Sequence, residues 1–111
     1  MIFKSKETVD EMDSKVVAQI RALGIDMIQN AKSGHPGIVL GAAPILYTLY
    51  SKHMRIMPKD ASWISRDRFV MSAGHGSALL YATLYMAGYD LSLEDLKNFR
   101  QLDSITPGHP E

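Results

Sequence analysis

Arg68-Phe69-Val70-Met71-Ser72 runs into Ala73-Gly74-His75-Gly76 and then into the eleven residues from Ser77 to Ala87. The first five favour a strand, and the glycines mark the turn out of it. The last eleven place Leu80, Leu84 and Ala87 on one helical face, with Gly88 as the stop. A strand entering a glycine turn and then a helix is half of a parallel α/β unit. One strand makes no sheet. The chain therefore reads as part of an α/β parallel-sheet domain, mostly helical in this portion.

On the N-terminal side, Val9, Met12, Val16, Ile20, Leu23, Met27 and Ala31 recur every three or four residues and predict an amphipathic helix. Thr8 and Glu11 have capping-box spacing, which places its start near residue 8. Ser33-Gly34 supplies the stop, with Gly34 suited to positive φ. Gly24 inside this helix weakens it by about 1 kcal/mol relative to Ala. The loop Ser33-Gly34-His35-Pro36-Gly37 leads to a second helix, expected from Ala42 to His53 with Pro44 in its first turn. That helix is apolar nearly all round and should be buried in something larger. Residues 54–67 read as a polar connection. Beyond Gly88, Ser92 and Asp95 form a capping-box pair opening a short helix to about Phe99, and 103–111 reads as a loop.

Composition narrows the function classes. The chain has 111 residues, enough for one domain and not comfortably for two, and it contains no cysteine. Disulfide frameworks, thiolate nucleophiles and Cys-based metal sites are excluded. Twelve basic residues balance twelve acidic ones, so no net positive charge drives binding to nucleic acid or a membrane surface. The longest apolar stretch, Gly37 to Tyr50, is shorter than the ~20 residues a bilayer span needs. The first residues carry no apolar core of a secretory signal. The expectation is a soluble, cytoplasmic protein with no nucleic-acid or membrane partner.

Histidine placement carries the chemical information. Three of the four histidines follow glycine: Gly34-His35, Gly74-His75 and Gly108-His109, and the first and third continue into proline. All three fall in predicted loops. Glycine permits close approach of a ligand to the backbone, and proline stiffens the loop that presents the imidazole. Such histidines suit acid–base work near neutral pH, hydrogen bonding to hydroxyls or phosphates, or metal ligation. The intervals of 40 and 34 residues, without a short-range ligand pair, make metal the weakest of the three. A single Gly-His-Pro also reads as a plain turn. His75 is better placed, where a strand ends and a helix begins. His53 reads as a capping or surface residue, and Arg66-Asp67-Arg68 as a local ion pair or loop anchor. Ser77 lies in Gly-His-Gly-Ser rather than a nucleophile elbow, which rejects a serine hydrolase.

Three stretches together resemble the N-terminal, thiamine diphosphate-binding region of the transketolase family: Ala31 to Gly37, Asp67 to Gly76 and Leu96 to Glu111. Their order and spacing match, and the resemblance covers nearly all of the chain after about residue 15. It implies transfer of a two-carbon ketol unit from a ketose phosphate to an aldose phosphate. The implied cofactor is thiamine diphosphate, held through magnesium or calcium. By the same resemblance His35 contacts the substrate and assists proton transfer, His109 contacts its hydroxyl end, and Ser33 lies beside it. His75 reaches the cofactor near its phosphates. Family members are several times longer and are homodimers. The resemblance puts their metal-binding aspartate and the glutamate that activates the cofactor outside residues 1–111. It therefore implies a partial cofactor-binding domain, inactive in isolation. Two alternatives stand beside it: one piece of a split enzyme completed by another chain, and a non-catalytic interaction module that uses the apolar helix Ile45–Tyr50.

Overall fold

The computed structural model describes the backbone of residues 2–110 and the side chains of residues 11–110. Four α-helices follow one another: α1 (Ile2–Ala31), α2 (Pro36–Thr48), α3 (Ser77–Ala87) and the short α4 (Leu93–Lys97). A π turn, Leu49–His53, extends α2, and a 3-10 turn, Gly74–Gly76, precedes α3. Helix α3 lies at the centre and touches the other three, while α1 packs along both α2 and α3. No helix of the described residues is long and apolar enough to cross a membrane.

The core follows from side-chain spacing. Helix α1 buries Val17, Ile20 and Met27, α2 buries Val39, Ala43 and Leu46, and α3 contributes Ala78, Leu79, Tyr81 and Ala82; Leu96 and Phe99 close the end. The buried face of α1 is close to the expected one, but Met12 is 61% exposed and Val17 takes a core place instead. Val9 lies outside the described side chains. The capping-box start at Thr8 does not hold, because the helix is already running from Ile2. No proline or glycine interrupts the chain before Gly24, and Lys4, Lys6 and Glu7 are good helix formers. At its other end α1 stops as a Schellman turn: Lys32 takes φ 54°, its N–H donates to the Gln29 carbonyl and that of Ser33 to the Ile28 carbonyl, both at 3.2 Å. Gly34 also has positive φ, 143°.

Helix α2 corrects a boundary. It begins at Pro36, not Ala42, with His35 as an extended N-cap residue at φ −122°. Proline at the first helical position starts a helix, and it pushes the preceding residue to extended geometry. Pro44 is consequently interior rather than in the first turn. Its missing N–H leaves the Leu40 carbonyl without its helical donor. Arg21 of α1 supplies one: its Nε donates to the Leu40 oxygen at 3.0 Å. Leu46 is only 4% exposed, so the segment Ile45–Tyr50 offers no continuous outward apolar face.

The strand expected over 68–72 does not form, and no strand occurs among the described residues. Strand-favouring residues need a hydrogen-bonding neighbour, and this segment has none here; Val70 is left 86% exposed. The parallel sheet expected for this part of the chain is therefore not seen among the described residues, whose regular elements are all helical and joined by loops. In α3 the buried positions are Ser77, Ala78, Leu79, Tyr81, Ala82 and Thr83, with the expected Leu80, Leu84 and Ala87 only half-buried, because this helix is covered on several sides. The capping box of α4 is present: Ser92 Oγ accepts from the Asp95 N–H at 3.1 Å and Asp95 Oδ2 from the Ser92 N–H at 2.8 Å. The helix ends at Lys97 rather than Phe99.

Asp13 joins three elements. One carboxylate oxygen accepts from the Tyr47 hydroxyl of α2, and the other from Lys52 Nζ of the π turn at 2.7 Å. The Lys52 bond and then the Tyr47 bond hold its carboxyl below the usual aspartate range. Asp67 does anchor its loop as the charge pattern suggests. It accepts from the Arg55 N–H at 2.6 Å and pairs with the Arg55 guanidinium at 3.3 Å.

Two outcomes test this packing. A Cβ at Gly24 would stand 2.6 Å from Cγ1 of the fully buried Val39. Overpacking of that kind costs about 1–3 kcal/mol, more than the ~1 kcal/mol gained in helix propensity. Gly24→Ala therefore lowers stability in urea melts, and Val39→Ala in the same chain recovers part of the loss. Second, Arg21→Ala costs about 1 kcal/mol in the parent and close to nothing once Pro44→Ala restores the missing N–H; a double-mutant cycle measures the coupling.

Candidate functional site

The helix ends bring the glycine-flanked histidines together. His35 caps α2 in extended geometry and makes no side-chain capping bond, so its imidazole projects outward. His75 sits in the 3-10 turn before α3, closed by the Gly76 N–H on the Ala73 carbonyl at 2.9 Å. The two rings meet edge to face, with centroids 5.0 Å apart and planes at 68°. His109 arrives from the last loop and lies against Gly74, where a Cβ would be 3.2 Å from its Cδ2. Residues 40 and 34 positions apart in sequence thus share one surface, and all three imidazoles are exposed. His53 ends the π turn, exposed and outside this cluster.

The loop that carries His109 is fixed from below by α3. Buried Ser77 donates from Oγ to the Gly108 carbonyl at 2.5 Å, and the buried Tyr81 hydroxyl donates to the Pro107 carbonyl at 2.7 Å. Burial pushes the Tyr81 phenol above its ordinary range. Thr106, fully buried, donates to the Asp95 carbonyl at 2.8 Å. Ser77 is thus a loop anchor and not a nucleophile.

Ser33 is exposed, two residues before His35, and its Oγ accepts from Arg100 Nη1 at 2.9 Å. Its own proton stays available to a ligand. Sequence reasoning gave Arg100 no role, because its contacts run to Ser33 and Gly108 and no local spacing announces them. The only signal was its place inside the Leu96–Glu111 stretch.

The arrangement suits an anionic, hydroxylated ligand. Exposed imidazoles donate to or accept from hydroxyl and phosphate oxygens, and the amino ends of α2 and α3 lie beneath two of them. A divalent cation is not served: among the described residues no group of three histidine or acidic side chains is placed to hold one.

The family profile described as "Transketolase, thiamine diphosphate binding domain" matches residues 12–111. The chain is 57% identical over 110 residues to a transketolase of Aquifex aeolicus, covering 99% of this chain and 16% of that one. It is 59% identical over 103 residues to a Bacillus subtilis transketolase, covering 93% and 15%. A crystal structure of Pichia stipitis transketolase in complex with sedoheptulose-7-phosphate superposes with TM-score 0.86 at 56% identity, covering 89% of this chain and 14% of that one. Campylobacter jejuni transketolase gives TM-score 0.87 at 55% identity, with coverage of 91% and 16%. The chain belongs to the transketolase family, and its residues 12–111 match the family's thiamine diphosphate-binding domain. It spans about one-sixth of the length of the relatives it matches.

The anchoring of the last loop has a measurable result. Ser77→Ala leaves the Gly108 carbonyl without its donor, a cost of about 1–2 kcal/mol. Amide exchange at Gly108 and His109 should quicken roughly tenfold, read by hydrogen-exchange mass spectrometry, while α1 amides keep their protection.

Proposed function

We propose that the protein carrying this chain transfers a two-carbon ketol unit from a ketose phosphate to an aldose phosphate, with thiamine diphosphate as cofactor. The observation that supports this most directly is the convergence of His35, His75 and His109 on one exposed surface. Relatives named transketolase, and Pichia stipitis transketolase structures in complex with sedoheptulose-7-phosphate and xylulose-5-phosphate, suggest the substrate class.

The donor set fits the cofactor's phosphate end. His75, at the turn leading into α3, is placed to donate to a phosphate oxygen beside the helix's amino end. The metal does not fit these residues, so we place the ligands of magnesium or calcium outside this chain. When bound, thiamine diphosphate supplies the electron sink for breaking a bond beside a ketone. The chain's own residues orient the sugar and handle protons. His35 contacts the substrate and takes or returns the proton of a sugar hydroxyl, a task suited to imidazole near neutral pH. His109 holds the hydroxyl end of the sugar, in a loop that Ser77 and Tyr81 keep still. Ser33 lies beside the substrate, with its oxygen turned to Arg100 and its proton left to give.

We infer that residues 1–111 form a partial domain, inactive by itself and working in a homodimer of the longer protein. Zero net charge supports a role without nucleic acid or membrane partners, and the cysteine-free composition accords with the cytoplasm.

Ketol transfer tests the reading. The complete protein should convert a ketose phosphate and an aldose phosphate only when thiamine diphosphate is added. His35→Ala should lower kcat/KM about a hundredfold, His109→Ala should raise the donor KM, and His75→Ala should raise the thiamine diphosphate concentration needed for half activity. Absence of cofactor-dependent transfer by the complete protein overturns the reading; transfer by residues 1–111 alone overturns the inference of inactivity.

A further inference from the structure

We propose that Arg100 is a positioning residue that locks the Ser33-Gly34-His35 and Gly108-His109 segments to one another, so that both imidazoles meet the same sugar phosphate. This rests on the reading above for the identity of the ligand and on geometry for the rest.

The guanidinium occupies the joint between the two segments. Its Nη1 donates to Ser33 Oγ at 2.9 Å. On the other side a Cβ at Gly108 would stand 2.9 Å from both Cζ and Nε of Arg100, so glycine alone lets the backbone lie against the guanidinium. The Arg100 N–H holds the Thr106 carbonyl at 3.0 Å, and its cation sits 5.6 Å from the centre of the Phe99 ring. One residue thereby touches the first histidine loop, the last histidine loop and the core.

Two costs mark the arrangement as more than a surface tie. Arg100 has φ 63°, a conformation that side-chain-bearing residues rarely adopt. Its Nε is buried without a hydrogen-bond partner among the described residues, an uncompensated donor. Strained backbone and an orphaned donor persist where the surroundings over-determine them. A planar fork suits this joint, because it spans two neighbours in fixed geometry where an ammonium on a flexible stem cannot.

The test uses the complete protein and a structural control. Asn30 Nδ2 donates to the Lys97 carbonyl at 2.8 Å, a second tie between α1 and the α4 region that touches neither histidine segment. Arg100→Met and Arg100→Lys should each raise the donor KM or lower kcat by about tenfold to a hundredfold, the scale expected of a 1 Å misplacement. Thiamine diphosphate half-saturation should stay within about twofold, since Arg100 does not reach His75. Guanidinium ion added to Arg100→Ala should restore part of the activity, and Asn30→Ala should leave both constants unchanged. The proposal falls if Arg100→Met or Arg100→Lys keeps the parent constants, or if donor, cofactor and melting behaviour all decline together as in general loosening. Should the unaltered protein show no cofactor-dependent transfer, the functional reading falls. The crystal structure of Arg100→Lys then decides the positioning claim: His35 or His109 displaced by about 1 Å supports it, and both unmoved overturns it.

Discussion

The crossing of α1 over α2 is the constraint on which the remaining geometry depends. Gly24 lets the two helices approach until Val39 fills the space a side chain would have taken. That contact holds α2 in place against α1, and the residue that caps the start of α2 is His35. The same approach leaves a seat for α3, whose amino end carries His75. Burial of Ile20, Val39 and Leu79 thus aligns two helix starts, and the chemistry-bearing side chains follow from it. The propensity lost at Gly24 within α1 is offset by the packing it makes possible.

Proline and glycine act here as placement devices. Pro36 fixes the first turn of α2 and holds His35 extended, outside the helix. Pro44 breaks one backbone hydrogen bond, and a side chain from the neighbouring helix mends it. The Pro107-Gly108 step exposes two carbonyls to α3, and Ser77 and Tyr81 take both. None of these residues has chemistry of its own to contribute. They convert a set of loops into fixed mounts for imidazoles, which is what a site needs when binding energy must be realised in one geometry.

The legible parts of the sequence were those with local causes. The capping box at Ser92, the stop at Gly88 and most of the α1 face rest on spacing within a few residues, and they appear in the structure. The three Gly-His pairs were legible as exposed loop histidines, because glycine beside them keeps the loop open; that they share one surface was not readable from their spacing. Illegible were features set by distant partners. Segment 68–72 has the composition of a strand, but pairing is not a property of one segment, and no ladder forms here. The α2 boundary was missed because Gly-His-Pro was read as a turn, when proline at the first helical position signals a start. Arg100 was invisible because its partners are contributed by Ser33 and Gly108, and its backbone conformation has no sequence marker.

Asp13 carries a further implication, for behaviour in acid. Its two carboxylate oxygens hold separate elements, Tyr47 on α2 and Lys52 on the π turn. Those bonds depress its proton affinity, so its contribution is complete above the ordinary aspartate value of 3.8 and is lost only as pH falls through the lower, folded value. A single proton then removes the charge that both partners share. Acidification would weaken the α2 contact and the π-turn contact together, so that this end of the bundle loosens in one step rather than two.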